Sequence, residues 1–366
     1  MQKLYETESK PKKVFLVGIR DARTQKAEAE SLLRELNGLA FTLGLEIAGQ
    51  ELVHVRDRQP KFGVGSGKAQ ELTEKAAQVN ADCFVFDWDM SPSQQRNWEE
   101  LAGIPAVDRQ ELIIQIFAGR AKTKEAELQV KLAELLYTLP RLSHKYIDLS
   151  RQRGGRYGTK GSGETKLETD RRLVEQQIHK LEKELDELRK QRQVQRKQRQ
   201  RQGIPTCAIV GYTNAGKSSL LNALTGADVL VEDKLFATLD PTTRRLEFGA
   251  GRAVLLADTV GFIRRLPHSL IKAFHSTLEE AALSDLILHV LDASEPDIDS
   301  FYQTTISVLG ELGAQNIPMI TVLNKIDRIT VSTHFPDSIA VSAKYGTGLA
   351  ELKELIDKRV TGRLPL

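Results

Sequence analysis

The stretch TCAIVGYTNAGKSSLLNALTG, residues 206–226, decides the fold. An apolar, β-branched run ends in glycine, and a helix-forming run rich in leucine follows. Between them Gly211, Tyr212, Thr213, Asn214, Ala215, Gly216, Lys217 and Ser218 fit the pattern GxxxxGK[ST]. Strand, glycine loop and helix in that order are the context a phosphate-binding loop requires. The glycines let the backbone wrap a β-phosphate and aim its N–H groups inward. Lys217 brings positive charge to the β- and γ-oxygens, and the Ser218 hydroxyl is placed to ligate Mg2+.

Downstream, three short motifs turn this loop into a guanine nucleotide site. Asp258, Thr259, Val260 and Gly261 end a hydrophobic strand, setting a carboxylate beside the metal and a glycine N–H at the γ-phosphate. Asn324, Lys325, Ile326 and Asp327 follow the strand-like MITVL. The Asp327 carboxylate can accept hydrogen bonds from guanine N1–H and the 2-amino group; adenine offers neither, so the carboxylate would stay unpaired. Ser342, Ala343 and Lys344 supply the last loop around the base. Each motif alone is weak, but the first residues of the four motifs stand 47, 66 and 18 positions apart in this order, which coincidence does not produce. AVLLADTVGF, LILHVLDA, MITVLNKID and IAVSAK read as further buried strands. Residues 203–366 are therefore expected to form a P-loop GTPase domain of α/β class, with Lys217, Asp258 and Gly261 at the reacting phosphate.

The order of motifs resembles the translation-factor-related GTPases. Within them Phe236, Ala237, Thr238, Leu239 and Asp240, continuing through Arg244, narrow the resemblance to the HflX family. Asp108-Arg109, the run IFAGRAKTKEAELQVKLAELLYTLPRL and GGRYGTKGSGETKLETDRR (154–172) resemble the same family, so the likeness covers almost the whole chain. The resemblance implies that residues 236–240 close over the nucleotide and that Thr238 ligates Mg2+ only when the γ-phosphate is present. It also implies a GTP hydrolase that binds GTP and GDP, associates with the large ribosomal subunit and its rRNA, and dissociates or rescues ribosomes. Ras-like enzymes carry a water-orienting glutamine where this chain has Phe262, so that group must come from elsewhere. Some potassium-activated relatives share an asparagine at the place of Asn214, which opens a K+ site; the alternative is a loop-stabilising hydrogen bond.

Upstream, the first ~120 residues alternate strand-like segments (13–19, 45–55, 81–90, 104–108) with helix-like ones (27–44 and near 69–77 and 93–101), as small open α/β sheets do. From about residue 110 to 142 the chain reads as helix almost throughout, with Leu128, Leu132 and Leu135 on one face. SRQRGGRYGTKGSG (150–163) interrupts with five glycines, four basic residues and no acid. Helix resumes near Glu164, and Ile178, Leu181, Leu185 and Leu188 keep heptad spacing. The expectation is a small α/β domain (1–122), an antiparallel basic helical hairpin (123–202) with its tip at 150–163, and the GTPase domain (203–366).

Charge is concentrated in that hairpin. Residues 141–202 hold 18 Lys+Arg against 9 Asp+Glu, while the rest of the chain holds 34 against 40. A basic segment between mildly acidic parts points to a polyanionic partner for it alone. Arg151, Arg153, Arg156 and Lys160 with the stacking face of Tyr157 are the expected RNA contacts. A competing reading makes the heptad run a coiled coil that docks a protein partner under GTP control.

Other features carry less. Gly63–Lys68 resembles a second phosphate loop, but Phe62 stands at the first glycine position and Ala69 at the hydroxyl position. A Gly-rich turn is the expected reading, with an RNA-remodelling ATPase as the alternative. Asp87, Asp89 and Glu99 read as solvated surface. No window of 366 residues approaches the ~18 apolar residues of a membrane-spanning helix, and no secretory leader is visible. Cys83 and Cys207 have no disulfide or metal-ligand spacing. These observations point to the cytoplasm; a monomer is expected, although the sequence does not give the oligomeric state.

Overall fold

The structure, a computed structural model, describes residues 13–142, 162–201, 203–227, 232, 234–249, 251–265, 267, 270, 273–274, 279–329, 335 and 338–362. They form two compact units, one from Met1–Gly119 and Lys131–Leu181, the other from Arg120–Val130 and Glu182–Leu366. No helix among the described residues is long and apolar enough to cross a membrane.

The first unit is built on β1 (Lys13–Arg20), α1 (Lys26–Thr42), β2 (Glu46–His54), α2 (Ser66–Gln78), β3 (Cys83–Phe86), α3 (Pro92–Ala102) and β4 (Ala106–Asp108). The strands form one sheet in the order β2-β1-β3-β4, parallel throughout. Parallel central strands are covered on both faces, which is why β3 (CFVF) is apolar at every position and buried at every position. Rings of Phe62, Phe84, Phe86, Trp88 and Trp98 fill one side, with neighbouring centroids 4.7–5.6 Å apart. α3 starts where Ser91 and Gln94 form a capping box and Pro92 takes the first turn, and it stops at the left-handed Gly103.

The glycine-rich segment before α2 is explained by this aromatic core. The Trp98 indole N–H donates to the Phe62 carbonyl at 3.0 Å, and Phe62 is buried. Gly63 has φ +77°, a conformation L side chains rarely adopt, and a Cβ there would also crowd the Trp88 ring at 3.0 Å, so backbone and packing together favour the glycine. Lys68 is paired with Glu51 at 2.5 Å and Glu71 at 2.8 Å, and Ala69 is fully buried. The lysine and the residue after it are thus committed to the fold, as a Gly-rich turn before a helix requires.

Beyond β4 lie α4 (Arg109–Arg120), α5 (Lys124–Thr138), a 3₁₀ turn (Leu139–Arg141) and α6 (Ser162–Arg201). The unbroken helix expected from 110 to 142 is divided at Ala121–Thr123. Thr123 caps α5, its Oγ1 accepting the Ala126 N–H at 3.2 Å, and threonine competes for backbone groups better at a cap than inside a helix. Both arms of the expected hairpin are helical where they are described, but residues 143–161, which hold all of its tip except Ser162 and Gly163, lie outside the described residues. Along α6, Ile178 and Leu181 are buried, whereas Leu185 and Leu188 are half-buried.

Asp87 is not solvated surface, contrary to expectation; Asp89 is exposed and Glu99 half-buried. The buried Arg109 guanidinium donates to Asp87 Oδ1 at 2.9 Å and also pairs with Glu35. Asp108, at the end of β4, accepts from Arg141 at 3.1 Å, and the same guanidinium lies 3.5 Å from the centroid of the Tyr137 ring. An Asp with no nearby motif partner reads as exposed, but its partner here is 22 residues away, beyond the reach of local pattern. Burial, then the charge of Asp108, push the Glu111 carboxyl up to about 7, although Tyr137 donates to it at 3.0 Å.

The second unit contains β5 (Thr206–Gly211), α7 (Lys217–Thr225), β6 (Thr242–Gly249), β7 (Arg252–Asp258), β8 (Leu286–Asp292), α8 (Ile298–Glu311), β9 (Met319–Asn324), β10 (Ser338–Ala340) and α9 (Leu349–Thr361). Its sheet runs β10-β9-β8-β5-β7-β6, parallel except for β6 against β7. Leu220, Leu221, Leu352 and Ile356 pack on one face; Phe262, Val308 and Leu309 pack on the other. This is the α/β P-loop GTPase fold. Edge strand β6 was not expected: TTRRLEFG carries three charges and only Leu246 is buried, so its alternation is weak.

The Glu111 arrangement has a consequence for stability. Folded Glu111 holds its proton up to about pH 7, unfolded glutamate only to its ordinary value of 4.5. The folded state therefore binds more protons in that window, and its stability falls as pH rises from 4.5 to 7, by at most about 3 kcal/mol. Glu111→Gln should flatten this slope in urea unfolding followed between pH 5 and 8, and should match or exceed the wild type above pH 7. Parallel slopes for the two proteins would contradict the assignment.

Candidate functional site

The carboxyl ends of β5, β7 and β9 open onto one cavity of about 370 Å³ in the second unit, the edge of a parallel sheet at which ligands bind. Two glycines make the loop after β5 possible. A Cβ on Gly211 would lie 2.2 Å from the Val290 carbonyl oxygen, and one on Gly216, at φ +89°, would lie 2.3 Å from the Asn324 amide nitrogen. Both are closer than side chains approach, so each position admits only glycine.

Three oxygens converge at the metal-facing end. Ser218 Oγ donates to Asp258 Oδ2 at 2.6 Å and lies 2.8 Å from Thr238 Oγ1, which is 3.2 Å from the same Asp258 oxygen. The other Asp258 oxygen is buried without a hydrogen-bond partner, and burial raises the pKa of the carboxyl. Two hydroxyls and a carboxylate with an orphaned lone pair form a hard oxygen set suited to Mg2+. Among the described residues no cluster of three or more His, Cys, Asp or Glu is placed to hold a metal.

The cavity wall is cationic. Lys217, Lys234, Lys325, Arg328 and Lys344 line the cavity against the acids Glu232 and Asp327. Lys217 is buried, its Nζ donating to the Tyr212 carbonyl at 2.8 Å. Desolvation draws its pKa down to about 8, against the pull of Asp258, so a polyphosphate would relieve a buried, undercompensated charge. Thr213 Oγ1 is buried with no partner. A Cβ on Gly261 would lie 2.8 Å from Lys217 Nζ, where space for a phosphate oxygen is needed.

At the base end the two motif polar residues divide the work. Asn324 is buried; its amide donates to the Ala215 carbonyl and accepts the Ala343 N–H, both at 3.0 Å. It stitches the phosphate loop to the last loop. Lys325, at φ +62°, reaches Asn214 O at 2.8 Å and Asp292 at 2.7 Å. Asp327 is exposed, and the Ser342 hydroxyl donates to it at 2.5 Å, holding its pKa down. An ionised, oriented carboxylate facing solvent is what a donor-bearing base edge would meet.

Of the residues expected from sequence, Thr213, Asn214, Gly216, Lys217, Ser218, Phe236, Ala237, Thr238, Thr259, Gly261, Asn324, Lys325, Asp327, Ala343 and Lys344 line the cavity. Gly211, Tyr212, Ala215, Leu239, Asp240, Asp258, Val260, Ile326 and Ser342 are not among the lining residues, although Ser342 orients Asp327 and Asp258 accepts from the lining hydroxyls of Ser218 and Thr238. Ser219, Glu232, Lys234 and Arg328 line it without belonging to any motif. Phe262 is a core residue: its ring is buried, and its backbone pairs with the phosphate loop through Thr213 N–H at 2.8 Å and Gly211 O at 3.1 Å. The Tyr212 ring stacks on Phe301 at 3.8 Å, and its hydroxyl accepts the Arg264 N–H at 2.8 Å. Arg151, Arg153, Arg156, Tyr157 and Lys160 lie outside the described residues.

Three family descriptions match successive stretches of the chain. Residues 30–118 match a family described as GTP-binding GTPase N-terminal, 120–199 one described as GTP-binding GTPase middle region, and 206–325 one described as 50S ribosome-binding GTPase. The chain is 46% identical to GTPase HflX of Akkermansia muciniphila, over 98% of this chain and 87% of that one. It is 48% identical to GTPase HflX of Caldanaerobacter subterraneus subsp. tengcongensis, over 91% and 78%. It is 40% identical to GTPase HflX of Escherichia coli, over 93% and 82%. Among solved structures it resembles that of SsGBP in complex with GDP, with 26% identity, a TM-score of 0.52, and coverage of 96% of this chain and 99% of that one.

The division between Asn324 and Asp327 separates two substitutions. Asp327→Asn should move preference from guanine to xanthine nucleotides, since an amide donates to a 2-oxo group. Asn324→Ala should weaken both about equally, by on the order of tenfold or more, because it removes two buried hydrogen bonds from the loop scaffold. Titration with fluorescent GDP and XDP checks both; a base switch in Asn324→Ala would contradict the scaffold role.

Proposed function

The chain belongs to the HflX family of GTPases, and on that footing we propose that it is a Mg2+-dependent GTP hydrolase whose triphosphate state binds the large ribosomal subunit and dissociates or rescues ribosomes. The observation that carries the nucleotide part is the convergence of Ser218 Oγ, Thr238 Oγ1 and Asp258 Oδ2 within 3.2 Å beside a cation-lined cavity. The ribosomal part rests on the family description of residues 206–325 and on the basic composition of 141–202.

In the reaction, backbone N–H groups of Asn214 to Ser218 hold the β-phosphate and Lys217 neutralises the β- and γ-oxygens. Ser218 and Thr238 would hold the metal, with Asp258 beside them; bound there, Mg2+ withdraws charge from the phosphate oxygens. Thr238 lies on the segment 236–241, so its hydroxyl couples the γ-phosphate to that segment's position. Gly261 presents its N–H to the γ-phosphate. Phe262 is buried against Ala208, Val210 and Ile287 and has no group to orient water. Intrinsic hydrolysis is therefore slow and rises when a partner positions the water. The K+ reading at Asn214 stays secondary; its φ of +61° already fits a loop-stabilising role.

The coiled-coil alternative is weakened because the heptad stripe is partly consumed within the protein: Ile178 and Leu181 are already buried. The ATPase alternative is weakened because Lys68 is held by two carboxylates.

Sedimentation with ribosomal subunits tests the reading. The protein should comigrate with the large subunit in the presence of a non-hydrolysable GTP analogue and not with GDP. Binding should weaken steeply with salt, through release of counterions from contacted phosphates. Changing Arg151, Arg153 and Arg156 to alanine should flatten that salt slope and leave GDP affinity within twofold of wild type, roughly 0.4 kcal/mol. Nucleotide-independent comigration, or an unchanged slope in the triple variant, would contradict the proposal.

A further inference from the structure

The start of α5 is tied to the segment that carries Thr238. Both belong to the same compact unit. The Lys122 N–H donates to Asp240 Oδ2 at 3.1 Å, and the Thr123 hydroxyl donates to Asp240 Oδ1. Thr123 is also the N-cap of α5, accepting the Ala126 N–H at 3.2 Å while its carbonyl accepts the Glu127 N–H at 3.0 Å. One carboxylate thus grips the same hydroxyl that starts the helix. Arg120 pairs with Glu232 of the cavity wall at 2.5 Å. On α6, Arg192 pairs with Glu125 of α5 at 2.6 Å.

The loop geometry gives this grip its leverage. Phe236 and Leu239 are buried, and Thr242 is fixed in the β6–β7 ladder opposite Asp258. Between those anchors Asp240 is two residues from Thr238, and its carboxylate is spent on the helix start rather than on the cavity, whose lining does not include it. Phe236 sits at φ +55°, a conformation a bulky side chain keeps only when its surroundings hold it.

We propose that Asp240 is a positioning residue for GTP hydrolysis, holding Thr238 at the nucleotide by anchoring the loop to the Lys122–Thr123 start of α5. The inference rests on the role given above to Thr238. By linkage the coupling is reciprocal: closing Thr238 on the triphosphate tightens the first turn of α5, and a partner that shifts α5 changes hydrolysis. The helical segment then reads the nucleotide state through one carboxylate.

The test uses the full chain and four substitutions. Asp240→Ala and Thr123→Val should each lower kcat and the affinity for a non-hydrolysable GTP analogue by about tenfold, with GDP affinity within twofold of wild type. Thr123→Ser, which keeps the hydroxyl, should restore both. The double variant should be no worse than the poorer single one, because Asp240→Ala already removes the contact that Thr123→Val removes. Amide exchange at Ala126 and Glu127 should slow on binding the analogue in the wild type and not in Asp240→Ala. Multiplying effects in the double variant would overturn the coupling and leave Thr123 only a helix cap, and an equal loss in Thr123→Ser and Thr123→Val would overturn it by showing that the hydroxyl plays no part. Thr238→Ala keeps the two layers apart: wild-type analogue binding in that variant overturns the role of Thr238 itself, whatever the Asp240–Thr123 cycle shows.

Discussion

Everything functional in the second unit depends on bringing a buried carboxylate, Asp258, to the end of a hydrophobic strand beside two hydroxyls from elsewhere in the chain. Such a carboxylate is costly to bury; its pKa is raised by burial, and one of its oxygens has no protein partner. A fold keeps a group like that when something else supplies the missing charge. The neighbouring Lys217, buried and drawn down to about 8, is the complementary half: one site short of positive charge and one short of negative charge, side by side. A divalent cation and a polyphosphate together satisfy both.

This arrangement was legible because phosphate loops are written locally. Gly211, Gly216, Lys217 and Ser218 are close in sequence, and the strand-loop-helix context identifies them without any tertiary knowledge. The base end was only partly legible. The motif containing Asn324 and Asp327 could be seen, but not that Asn324 would spend its amide on Ala215 and Ala343, contacts 109 and 19 residues away. Glu232, Lys234 and Arg328 were invisible because nothing local marks a charged residue as cavity wall. Phe262 was legible as an absence of glutamine; its place in the core required the packing of β5, β8 and α8.

In the first unit the parallel sheet followed from alternating strand and helix patterns. The buried polar cluster did not. Asp87, Glu35 and Arg109 are charged residues with wide separations in sequence, and solvated surface is the default for such residues. What could have marked Asp87 is its place at the end of an all-apolar strand, CFVFD, where the chain is still deep in the sheet. The helix break before Thr123 was missed for a different reason: threonine is tolerated inside helices, and only its partners Ala126 and Asp240 show that it begins one.

The central claim is that the site distinguishes triphosphate from diphosphate through an oxygen-ligated metal. Calorimetric titration of the full chain with GDP and with a non-hydrolysable GTP analogue, each with Mg2+ and after chelation, measures it directly. Chelation should weaken the analogue far more than GDP, because in the proposed mechanism Thr238 would join the metal only beside a γ-phosphate. Equal losses for the two nucleotides, or none, would contradict the account.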